Sequence, residues 1–133
     1  MFKLDDRLKN DSHNMGMVNG IQLRLHKNAE VPWFILVPET NVIELCDLPE
    51  EQFQQLMKTA NELSLFIKEN FKANKINVAA IGNIVSQLHL HVIGRFKDDF
   101  AWPGVVWGAD SSMKYQQHKL SEIKKHIVDK FGS

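Results

Sequence analysis

A chain of 133 residues suits one domain with a sizeable apolar core, and its 16 basic and 16 acidic residues cancel. That balance argues against a nucleic-acid backbone as partner, and no apolar run has the length of a membrane span or the form of a signal peptide. The single cysteine, Cys46, has no internal partner, which points to a reducing cytoplasm.

Residues 1–20 are polar and mixed; Leu4 to Lys9 reads as a short helix, and Asn19-Gly20 as a turn. Ile21 to His26 alternates, with Ile21, Leu23 and Leu25 on one side and Gln22, Arg24 and His26 on the other, the period of a half-buried strand. After a turn at 27–30, Trp33-Phe34-Ile35-Leu36-Val37 is apolar throughout and closed by Pro38, which suits a central strand covered on both faces. Asp47-Leu48-Pro49-Glu50-Glu51 reads as a helix start capped by Asp47. Phe53, Leu56, Ala60, Leu63 and Ile67 then recur at helical spacing and form one apolar stripe. Ile76 to Ile81 reads as a strand broken by Gly82-Asn83. Leu120, Ile123, Ile127 and Phe131 mark a C-terminal helix with Ser111 or Ser112 near its start. The expected fold is α+β: an antiparallel sheet with helices on one face, a single domain over 1–133.

The stretch from Gln87 to Ile93 carries the chemistry. Polar residues at 87, 89 and 91 alternate with apolar ones at 88, 90 and 92, so a strand here sends Leu88, Leu90 and Val92 to a core and Gln87, His89 and His91 to the opposite face. A His-x-His pair is also half of a metal site, but Cys46, His13, His26, His118 and His126 have no ligand-like spacing, so metal binding is unsupported. Imidazole is a competent nucleophile near neutral pH, provided one ring nitrogen is bare and the other has an acceptor, often a backbone carbonyl.

Gln87-Leu88-His89-Leu90-His91-Val92-Ile93 resembles the signature of the histidine triad (HIT) family, His-φ-His-φ-His-φ-φ with φ apolar, its first histidine replaced. Gly82-Asn83-Ile84-Val85 before it, Ile93-Gly94-Arg95 after it, the 98–107 run and Pro32-Trp33 to Val37-Pro38 are similar to the family's short-loop branch. The likeness spans about 21–107, with the C-terminal helix at about 112–131 beyond it. It implies a five-stranded meander sheet that pairs with a second copy, and a nucleotide hydrolase or transferase that needs no cofactor. It implies His89 as nucleophile on the α-phosphorus, His91 as hydrogen-bonding partner of phosphate oxygens and helper of the leaving group, and Gln87 as a donor that cannot carry a proton. Asn83 and Gly82 are the implied phosphate contacts and Asn28 the candidate ribose contact, with a plain turn role for Asn28 as the alternative.

Phe34 stands at what looks like the place of another family histidine, which suggests that the changes at 34 and 87 are linked. The substrates implied are phosphoanhydrides or phosphoramidates of a nucleoside monophosphate. The alternatives are a nucleotide-binding module with weak turnover and a His-x-His metal site. Phe100, Trp102 and Trp107 read as packing residues, Asp98-Asp99 as a solvated pair, Arg95 as a strand anchor, and His13, His26, His118 and His126 as surface residues.

Overall fold

Asn19 and Gly20 both have positive φ, 54° and 77°. This is the conformation a two-residue hairpin turn needs, and it joins β1 (Ser12–Val18) to β2 (Ile21–His26) with Val18 opposite Ile21. β1 was not foreseen. Its buried positions fall at 12, 15 and 18, because the register shifts between Asn14 and Met17 around Gly16, whose φ is 103°. A bulge inserts one residue and erases the period-two pattern.

The computed structural model describes residues 2–132. After β2 come β3 (Trp33–Val37), one turn of 3₁₀ helix (Leu45–Asp47), β4 (Lys75–Ala79) and β5 (Leu90–Arg95). The helices are α1 (Asp6–Asp11), α2 (Glu50–Phe71), which lies between the 3₁₀ turn and β4, and α3 (Gln117–Phe131). The sheet is antiparallel in the order β1-β2-β3-β5-β4, so β1 and β4 are its edges.

Several boundaries differ from expectation. Asp47 sits in the 3₁₀ turn, and α2 begins at Glu50 with Pro49 as its cap and no side-chain cap bond. β5 starts at Leu90 rather than 87, because residues 87–89 approach the sheet without ladder pairing. α3 begins at Gln117, since Ser111 instead donates to Glu30 and accepts from the Met113 N–H, tying the 111–113 strap to the β2–β3 turn. Within α2, Phe53 is exposed, and Phe66 joins Leu56, Ala60, Leu63 and Ile67 in the core.

The core has two sides. Leu23, Leu25, Phe34, Leu36, Leu88, Leu90 and Val92 pack with α2 and with Ile123 and Ile127 of α3. Each fully buried aliphatic or aromatic side chain contributes roughly 1.5–3 kcal/mol. On the opposite face Trp33, Ile35, Val37 and Ile93 pack with Leu8 of α1, Val31 and Val106. Helices therefore cover both faces, not one, and this second, thinner layer holds the imidazoles.

Gly94 lets α2 and the β2–β3 connection approach β5. A Cβ there would lie 2.6 Å from Ile67 Cγ2, 2.8 Å from Pro32 Cγ and 3.2 Å from Ala73 Cβ. Gly94→Ala is expected to cost about 1–3 kcal/mol through overpacking. A urea midpoint equal to that of the parent would contradict this close approach.

Candidate active site

The parity expected of the triad strand is what the fold shows. Leu88, Leu90 and Val92 face the α2 side, while His89 and His91 face the other. Neither imidazole lies open to solvent: His89 is 7% exposed and His91 6%. Their ring centres are 4.9 Å apart at 69°.

Each ring has one nitrogen engaged, and the partner's chemistry decides where the proton sits. His89 Nδ1 lies 2.7 Å from the carbonyl oxygen of Gln87. A carbonyl only accepts, so Nδ1 carries the hydrogen and Nε2 of the neutral ring is a bare lone pair. The ring lines a cavity of about 270 Å³ together with Glu44, Cys46, Gly82 and Gln87.

His91 is the reverse case. Trp33 Nε1 donates to its Nδ1 at 2.9 Å. An indole N–H only donates, so Nδ1 is bare and the proton of the neutral ring sits on Nε2. Burial, reinforced by the charges of His89 and His26, pushes the His91 imidazole down to about 3.

Trp33 is thus the residue the sequence reading missed. Phe34, taken as the altered partner position, packs on the far side of the sheet, edge-on to Phe66 and Phe71. Its pair across the ladder is Val92, whereas Ile35 opposes His91 and Trp33 opposes Ile93. Trp33 therefore shares the imidazole face, and any link with Gln87 cannot run through Phe34. A register count from His91 would have found it, but a strand of five apolar residues does not announce which parity faces the site.

His26, expected at the surface, is half-buried and stacks on Trp33 with ring centres 3.9 Å apart at 11°. Trp107 closes the other side, edge-on to His91 at 5.1 Å and to Trp33 at 6.0 Å. Its indole N–H is buried with no partner among the described residues.

Gln87 uses its carboxamide elsewhere. Oε1 accepts from the Asp5 N–H and Nε2 donates to the Lys3 carbonyl, both at 2.7 Å. Arg7 Nη1 adds a bond to the Ile84 carbonyl at 3.1 Å. The side chain expected to donate to phosphate instead clamps the 3–7 segment to the loop that carries the nucleophile, and its backbone carbonyl orients His89.

Gly82 lines the His89 cavity with φ +69°. Asn83 is exposed on the loop beside it. Asn28 lines a different cavity of about 450 Å³ with His26, Trp33 and Trp107. There its Oδ1 accepts from the Glu30 N–H and its own N–H donates to His26 Nδ1, a turn role. Among the described residues no cluster of three or more His, Cys, Asp or Glu side chains is placed to hold a metal.

Behind the site, Arg95 is the anchor expected of it, but Asp99 is buried rather than solvated. Arg95 Nε and Nη2 meet the Asp99 carboxylate at 2.9 and 3.0 Å, each side chain 2% exposed. Burial alone would raise the Asp99 carboxyl. The Arg95 guanidinium and the N–H groups of Phe96 and Ala101 outweigh it and bring the group to about 2. Arg95 also donates to Asn77 Oδ1 and the Gly104 carbonyl, which ties the 96–104 loop to β4 and β5.

These groups give acid sensitivity a sign. The unfolded chain protonates His91 near its ordinary 6.5, the folded chain only near 3. The unfolded state binds the extra proton between those values, so stability falls on acidification through that window. Burial lowers His26 and His13 too, adding in the same direction. Asp99 acts lower: its contribution is present above 3.8 and is lost as pH falls through about 2. The urea midpoint is expected to drop steadily below about pH 6.5. A midpoint flat to pH 4 would mean that His91 is not held neutral.

The fold is shared with known proteins. The sequence model of the HIT domain matches residues 7–98. A histidine triad protein from Marinobacter aquaeolei is 39% identical with a TM-score of 0.93, covering 98% of this chain and 96% of that one. One from Bradyrhizobium japonicum is 35% identical with the same TM-score, covering 98% of each chain. Bis(5'-adenosyl)-triphosphatase of Saccharomyces cerevisiae is 39% identical over 69 residues, 47% of this chain and 34% of the enzyme. The matched part thus spans about a third of the length of that curated relative.

Proposed function

This chain belongs to the HIT-domain family, and from that footing we propose that it is a nucleotide hydrolase or transferase working through a His89-nucleotidyl intermediate. The observation that carries the reading is the 2.7 Å bond from His89 Nδ1 to the Gln87 carbonyl. It presents Nε2 as a lone pair, one residue ahead of β5 and beside a cavity. Attack on the α-phosphorus of a phosphoanhydride or phosphoramidate forms an N–P bond, and water or another acceptor then takes the nucleotide.

In this reading His91 Nε2–H is a fixed donor for a phosphate oxygen, and Trp107, whose indole N–H has no partner among the described residues, stands edge-on to that ring. Gly82 admits close backbone approach, Asn83 adds a side-chain donor, and Gln87 contributes its carbonyl rather than its carboxamide. The similarity to the yeast triphosphatase supports a nucleotide substrate. β4 is a free edge with Val78 49% exposed, which supports pairing with a second copy in a homodimer. The exposed free thiol of Cys46 supports a cytoplasmic location.

The engagement of Gln87 by residues 3 and 5 favours one competing reading, a nucleotide-binding module with weak turnover. Incubating the protein with a panel of activated nucleoside monophosphate esters separates the two. Multiple turnovers releasing the monophosphate are expected; binding with no release on any ester favours the module.

A further inference from the structure

Resting on that catalytic reading, we infer that Trp33 is a positioning residue that keeps the His91 proton on Nε2, and that the site consequently favours phosphoanhydrides over phosphoramidates. The indole N–H at 2.9 Å from Nδ1 can only donate, so His91 cannot take a proton on Nδ1 while Trp33 holds it. Trp33 is itself held by the stacked His26 ring and edge-on by Trp107. His91 is therefore a hydrogen-bond donor without a proton to release.

The surrounding groups supply no replacement. The Gln87 carboxamide does not ionise and is bound to residues 3 and 5. The Asp5 carboxylate accepts from the Arg7 backbone N–H, Nε and Nη2, which keep it ionised. Glu44 lies at the exposed rim of the His89 cavity, open to solvent. The Cys46 thiol there is turned to the Asp47 carboxylate at 3.9 Å. His26 Nδ1 accepts from the Asn28 N–H, and burial keeps that ring neutral. His89 spends Nε2 on phosphorus and keeps Nδ1–H on Gln87.

The proton balance then selects the leaving group. With an anhydride, the His89 Nε2–P bond forms as the P–O bond breaks, and the electron pair departs on a phosphate oxygen that needs no proton. Water then forms a new P–O bond, the N–P pair returns to Nε2, and the water proton passes to solvent. With a phosphoramidate of an unactivated amine, the breaking P–N bond leaves its pair on nitrogen, which departs only when protonated. Solvent is the one donor left, and a missing general acid costs typically about 10²–10⁴-fold.

Two measurements on the full chain test this. In nitrogen-15 spectra of the histidine side chains at neutral pH, His91 is expected to show a bare Nδ1 and a protonated Nε2. Trp33→Phe, which keeps an aromatic ring but loses the donor, is expected to give a mixture of tautomers. A purely packing role for Trp33 would leave the tautomer unchanged in the variant, and that result overturns the positioning claim whether or not the protein is an enzyme. In the second arm, a dinucleoside triphosphate and an alkyl phosphoramidate of the same nucleoside monophosphate are compared by kcat/KM. The anhydride is expected to be preferred by about 100-fold or more, and Trp33→His, which supplies an ionisable partner, is expected to narrow the gap. Equal rates or a phosphoramidate preference would overturn the selectivity. Turnover of neither ester would overturn the catalytic reading and the selectivity with it, leaving the tautomer result standing.

Discussion

Replacing His89 with alanine is expected to lower nucleotide release by roughly 10⁴-fold or more, the scale on which covalent catalysis fails when its nucleophile is removed. The expectation follows from how little else in the site can attack phosphorus. His91 Nδ1 is occupied by Trp33 and its Nε2 carries hydrogen. The Gln87 amide is not a nucleophile, and the Cys46 thiol faces Asp47. His91→Ala removes a donor rather than the nucleophile, and a smaller loss of about 10²–10³-fold is expected. Release assays on the two variants with one activated ester give the order directly. Equal losses would mean that the rings share one role, and a His89→Ala enzyme near wild-type activity would remove the assignment.

The largest stability effect is expected at Asp99, outside the site. Asp99→Ala leaves the Arg95 guanidinium buried with one bond to Asn77 and one to Gly104, and strips acceptors from the Phe96, Ala101 and Trp102 N–H groups. Breaking a buried pair from one side costs about 3–5 kcal/mol, which for a domain of this size corresponds to a fall in Tm of roughly 10–20 °C. The 96–104 loop is held by this pair, so faster amide exchange is expected there first. Calorimetry on the variant checks the figure. A shift below about 1 kcal/mol would mean that the pair behaves as a surface one.

Much of this was legible because period-two alternation survives wherever a strand has one distinctive face. Leu88, Leu90 and Val92 against His89 and His91, and Ile21, Leu23 and Leu25 in β2, read directly. β1 did not, since the bulge at Gly16 spaces its buried residues by three. β3 did not disclose its parity, because both faces are covered and all five residues are apolar. That is why Phe34 stood in for Trp33.

Long-range pairings were likewise invisible. Nothing in the spacing joins Gln87 to Lys3 and Asp5, across 84 and 82 residues, or Trp33 to His91 across 58. Asp99 was misread for a similar reason: two adjacent aspartates look solvated until the guanidinium four residues upstream turns back on one of them.

The decisive measurement is the covalent state of residue 89 during turnover. Mixing the protein with excess nucleotide ester, quenching in alkaline denaturant that preserves the N–P bond, and mapping peptides by mass should find one nucleoside monophosphate on the peptide carrying His89, lost in His89→Ala. Monophosphate release with no adduct at that ring, or an adduct on another side chain, would contradict the assignment of His89 as nucleophile.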